Sequence, residues 1–122
     1  MSYSLQRRRG YLSLSMQDWP RMLDLAIEYD WKPAGTNGPN GMYVFNNGQR
    51  VGARDARNFA AALGRALPDI PVQDTLTPKM RKDGKPKRGC KITLLDWFSG
   101  VEGRELVTKS AAFCRKGAFE IW

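Results

Sequence analysis

At 122 residues the chain has the length of one domain, enough to bury roughly two-thirds of its unfolded surface without a metal or a disulfide. Hydrophobic residues make up 42% of it, but no run of about 18 apolar residues occurs, which excludes a membrane-spanning helix. The formal charge is +8 and there is no histidine, so a Cys/His zinc site is excluded and the commonest general base is missing, while polyanionic partners are favoured.

The chain opens with Arg7, Arg8 and Arg9 and no apolar stretch of signal-peptide length behind them, which points to a mature, cytoplasmic start. Residues 11–14 alternate as a short edge strand. Ser15 with Asp18 three residues on resembles an N-cap and its box acid. Trp19, Met22, Leu23, Ala26 and Ile27 then recur at helical spacing, predicting a helix over residues 16–30 with Pro20 tolerated in its first turn. Residues 34–41, with three glycines and a proline, form a loop; they lack the patterns of phosphate-cradling loops.

Residues 42–67 predict a ββα unit around which the rest is organised. Residues 42–45 have strand character, Asn46-Asn47-Gly48 is a tight-turn signal, and Gln49, Arg50 and Val51 form the partner strand. The period then changes to 3.6, with Ala56, Phe59, Ala60, Leu63 and Leu67 on one stripe of a second helix. Pro68 and Pro71 end it. Beyond Asp83-Gly84, a second turn signal, residues 91–95 are strand-like. Residues 79–91 therefore read either as a long hairpin that carries basic side chains outward or as a disordered loop.

Asp96 to Gly100 reads as a connection carrying Trp97 and Phe98. A third helix is predicted over residues 103–116, with Leu106, Val107, Ser110, Phe113 and Cys114 on one face, Glu105 and Lys109 paired, and Gly117 past its end. The alternation of residues 118–122 predicts a docked strand, placed beside residues 42–45. These elements sum to an α+β fold: three helices packed on a small antiparallel sheet built from β-hairpins and a C-terminal strand, in a single domain over residues 1–122.

The charge is concentrated. Lys79, Arg81, Lys82, Lys85, Lys87, Arg88 and Lys91 face one acid, Asp83, for a local balance of +6; Arg7, Arg8 and Arg9 add +3, leaving −1 elsewhere. These ten residues are the candidate ligand-binding patch, directed at a nucleic acid, a nucleotide or an acidic protein surface; solvation of a lysine-rich loop explains the same charge without a partner. Tyr3 and Tyr11 flank the arginine triplet, and Trp97 and Phe98 follow the second patch, so base stacking depends on which of them are exposed.

No constellation for catalysis is legible. Asp24 and Glu28 form a solvated acidic face beside Arg21, and Asp55 suits the start of the second helix. Cys114 lies on an apolar stripe. Cys90, between Arg88 and Lys91, has a cationic setting but no positioned acid or base. Two free thiols or a disulfide are both compatible with the pair. No cofactor and no catalytic residue is expected, and oligomeric state is not encoded in any motif.

In Gly35-Thr36, in residues 45–51, in Asp55-Ala56, in residues 67–71 and in the ending from Phe113 to Trp122, the chain resembles small uncharacterised single-domain proteins of bacterial and phage genomes. The resemblance implies action by binding, including as a protein–protein inhibitor of a host defence complex. It carries over no catalytic or binding residue. Two expectations follow: a non-enzymatic protein whose basic segment engages a phosphate-rich ligand, or a phage or mobile-element inhibitor that docks on an acidic or nucleic-acid-binding surface.

Overall fold

A computed structural model describes residues 2–33, 43, 48–85 and 92–122. The expected strand at 42–45 apart from Tyr43, the loop at 34–41 and most of the Asn46-Asn47-Gly48 turn lie outside the described residues, as do Lys87, Arg88, Cys90 and Lys91.

The fold is α+β. Strands β1 (Ser2–Arg7) and β2 (Gly10–Ser15) form a hairpin, followed by helix α1 (Asp18–Glu28), strand β3 (Gln49–Val51), helix α2 (Ala53–Ala66), helices α3 (Pro78–Asp83), α4 (Leu94–Trp97) and α5 (Gly100–Arg115), and strand β4 (Phe119–Ile121). The sheet is antiparallel throughout, in the order β2-β1-β4-β3. The three expected helices correspond to α1, α2 and α5.

Strand β4 was expected beside residues 42–45. Its two edges are instead filled by β1, through Leu5 opposite Ile121, and by β3, through Val51 opposite Phe119. Strand β1 was not anticipated, because its partner turn, Arg8-Arg9, carries no Asn-Gly or Asp-Gly. The positive φ of this hairpin falls on Gly10 behind the turn, at +150°, where glycine alone accepts it without strain.

Between residues 78 and 97 two expectations are corrected. Where a basic hairpin or disordered loop was expected, residues 78–83 are helical. Thr77 caps α3 by accepting from the Met80 amide at 3.2 Å, Pro78 fills the first turn, and Gly84 closes the helix at φ +66°. Asp83-Gly84 is thus a helix end, the usual place for an αL glycine. Where residues 91–95 were expected to form a strand, Thr93 and Asp96 build a capping box: Thr93 Oγ1 accepts from the Asp96 amide at 3.1 Å and Asp96 Oδ2 from the Thr93 amide at 3.3 Å. Two satisfied helix-start donors outweigh the strand propensity of the preceding Ile92.

The core lies between the sheet and α1, α2 and α5. Trp19 of α1 meets Phe59 of α2 edge-on at 5.5 Å and Phe119 of β4 at 6.3 Å, while Phe113 of α5 meets Phe119 at 5.6 Å. Tyr3, Leu5, Leu14, Val51, Phe119 and Ile121 supply the sheet's buried side. Trp31 covers the end of α1 as expected; its ring is 4.9 Å from Phe59 and its Nε1 donates to the Asp55 carbonyl at 3.1 Å. Glu105 and Lys109 pair at 3.2 Å.

Candidate nucleic-acid interface

The basic residues singled out from sequence divide into those the fold consumes and those it presents. Arg7 belongs to the first group. It points inward from β1, its guanidinium lies 4.0 Å from the centre of the Phe113 ring, and it donates to the carbonyls of Phe113 and, at 3.4 Å, Gly117. A cation on these last carbonyls suits the negative end of α5.

Arg81 is consumed more completely. Its Nε and Nη2 reach Asp74 at 2.8 and 2.7 Å, Nη1 donates to the Trp97 carbonyl at 2.6 Å, and Nη2 also reaches the Ser99 carbonyl at 3.1 Å. The Arg81 guanidinium holds Asp74 below the usual carboxylate range. Arg81 therefore ties α3 to the α4–α5 corner. Nothing in its sequence neighbourhood set it apart from the lysines beside it.

The remaining described candidates are exposed: Arg8 and Arg9 in the β1–β2 turn, and Lys79, Lys82 and Lys85 on and just after α3. The two groups do not converge. Arg7 sits at the C-terminal end of α5, and Arg81 at its N-terminal end beside Ser99. A helix of 16 residues is about 24 Å long, so the described candidates form two separate cationic patches.

The N-terminal patch is larger than the sequence suggested, because β3 brings Arg50 to it. Arg50 stands opposite Glu120 on β4, which in turn stands opposite Gln6 on β1. Arg7, Arg8, Arg50, Gln6 and Glu120 line a shallow depression of about 530 Å³ at this end of the sheet. Three arginines against one carboxylate leave it cationic.

The aromatic question also resolves. Tyr3 is buried, and so are Trp97 and Phe98, so none of these can meet a ligand base. Tyr11 is 74% exposed and Trp122, which the sequence placed in a docked tail, is 49% exposed. The signal for Arg50 and Trp122 was the period of two: with Val51, Phe119 and Ile121 turned to the core, Arg50, Glu120 and Trp122 must face away from it.

Asp55 is buried in the first turn of α2, where its charge suits the helix start, and it accepts a hydrogen bond from the Tyr43 hydroxyl, which adds a role inside the core. Burial first, and then this bond, raise the Tyr43 hydroxyl well above its ordinary value. Cys114 is a free thiol that burial pushes up to about 12, which suppresses the reactive thiolate. Among the described residues no three His, Cys, Asp or Glu gather as metal ligands, and no helix is long and apolar enough to cross a membrane. Comparison with known proteins found no matching family model, curated protein or solved structure, so the reading of this site rests on its own geometry.

Proposed function

We propose that the protein is a non-enzymatic nucleic-acid-binding protein whose contact centres on the cationic end of the sheet. The observation that carries the reading is the grouping of Arg8 and Arg50 around one depression with Arg9 in the adjoining exposed turn. Three exposed cations, Arg50 on a paired strand and Arg8 and Arg9 in a two-residue turn, present a local charge array, which suits a phosphate backbone. The lysines of α3 supply a second, weaker attraction from the far end of the molecule.

Binding of labelled single- and double-stranded oligonucleotides over a salt series tests it. The affinity should fall with a log–log slope near −2 to −3, the value for roughly three neutralised phosphates at about 0.7–0.9 per charge. Replacing Arg8, Arg9 and Arg50 together by alanine should remove most of that slope, whereas replacing Lys79, Lys82 and Lys85 should remove less. The reverse ranking would move the site to α3. No binding at about 50 mM salt, where such contacts are far stronger than at about 200 mM, would discard the reading.

A further inference from the structure

The sheet has one side in the core and one side in solvent, and the solvent side has a composition that the charge alone does not explain. Ser4 and Gln6 of β1, Tyr11 and Ser13 of β2, Arg50 of β3 and Glu120 of β4 alternate with the buried Leu5, Leu14, Val51, Phe119 and Ile121 and so share the outer face. Trp122 continues the β4 ladder, exchanging backbone hydrogen bonds with Ser4 at 2.8 and 3.3 Å, which puts its ring on the same side as Glu120.

The two exposed rings flank β1. Tyr11 stands opposite Gln6 on one side, and Trp122 opposite Ser4 on the other. With two strand spacings across and two residues along, their attachment points are about 12 Å apart. Between them lies a polar floor in which the Gln6 amide donates to the Ser4 hydroxyl at 3.1 Å. The Trp122 ring is seated against Gly48: a Cβ built there would lie 2.9 Å from it. The glycine makes room for one side of the indole and leaves the rest in water.

We infer that this face binds single-stranded nucleic acid, with unpaired bases stacked on Tyr11 and Trp122 and the backbone led to Arg8, Arg9 and Arg50. The inference rests on the phosphate-directed reading above and adds the base-stacking component. Exposed rings on a rigid sheet offer π-faces to bases of any identity. A duplex cannot use them, because its bases are already stacked on one another, so the rings select unpaired strands while the arginines serve both forms.

The tryptophans make the test direct. Trp19, Trp31 and Trp97 are no more than 5% exposed, so quenching of tryptophan fluorescence by a bound base reports on Trp122. The probes are an oligothymidylate of about 12 nucleotides, a length within known single-strand site sizes, and a hairpin duplex with the same number of phosphates. The oligothymidylate should quench the emission and the duplex should not. Tyr11→Ala should weaken oligothymidylate binding roughly 5- to 100-fold, leave the duplex affinity and the salt slope unchanged, and be rescued by Tyr11→Phe. Trp122→Ala should act similarly and abolish the quench; Trp122→Phe, which keeps a ring, should retain most of the affinity. Unchanged oligothymidylate affinity in Tyr11→Ala and Trp122→Ala, with the salt slope intact, would overturn the stacking inference and spare the phosphate reading. Absence of binding to both probes would overturn both.

Discussion

Replacing Arg81 by alanine should unfold the protein more easily by an amount that the neighbouring lysines do not approach. The substitution deletes the donors that reach Asp74, the Trp97 carbonyl and the Ser99 carbonyl. Asp74 is 47% exposed, so water screens the ionic component and takes over much of its hydrogen bonding. The two carbonyls lie at the partly buried α4–α5 corner, where each lost bond costs about 1 kcal/mol or somewhat more. The sum is about 2–3 kcal/mol. Unfolding entropy near 2.1 cal/mol/K per residue gives a chain of this length about 0.26 kcal/mol per kelvin, so Tm should drop by roughly 8–12 °C. Lys82, exposed on the same helix, should shift Tm by less than about 2 °C when changed to alanine. The contrast carries a pH signature. Asp74 is depressed chiefly by the Arg81 hydrogen bond; a carboxylate depressed in the folded state stabilises above its unfolded pKa, near 3.9, and loses that contribution as pH falls through the lower folded value. The gap between wild type and Arg81→Ala should therefore be complete at neutral pH and narrow only below about pH 4. Circular dichroism melts of both variants between neutral and acidic pH measure it. Equal, small shifts for Arg81→Ala and Lys82→Ala would show that the guanidinium is a surface cation like its neighbours and would refute the structural assignment.

Two further outcomes follow from backbone and core geometry. Tyr43→Phe removes the hydroxyl that donates to the buried Asp55 carboxylate, so it should cost about 1–3 kcal/mol in a denaturant titration while leaving the m-value unchanged. Gly103→Ala places a Cβ 2.3 Å from the Phe98 carbonyl oxygen; since backbone must move to relieve it, the loss should be about 2–4 kcal/mol, read as a lowered midpoint in the same titration.

The helical periodicity of α1, α2 and α5 was legible because each carries a long apolar stripe, and long stripes dominate local preference. The short elements were legible only through their ends. Thr77-Pro78 and Gly84 bracket α3, and Thr93 with Asp96 starts α4, but the charge run between them and the strand-like Ile92 masked both. The sheet order was hidden for another reason: no local signal says that β4 lies between β1 and β3, since that choice is made by Phe119 and Ile121 filling a core assembled from all three long helices. Of the candidate site, the cationic character was visible, whereas the division of labour among arginines was not. Arg7, Arg8 and Arg9 are identical in composition and adjacent in sequence, and only the strand's alternation turns the first inward onto Phe113 and leaves the next two in solvent. Arg50 and Trp122 join the site through pairing across the sheet, a relation that a linear reading of charge runs cannot supply.

The central place of β4 makes the order of folding a matter of timing. Arg7 and Gly117 meet across 110 residues of sequence, and until β4 inserts, the β1–β2 hairpin and β3 have no common ladder. A lone hairpin and a three-residue strand are marginal on their own in water, and closing so long a loop is entropically costly before its contacts repay it. The sheet should therefore consolidate late and together, after α1, α2 and α5 have gathered around Trp19 and Phe59. A binding face spread over β1, β2, β3 and β4 comes into existence only at that last step, so partly folded chains carry the charges without the surface that arranges them.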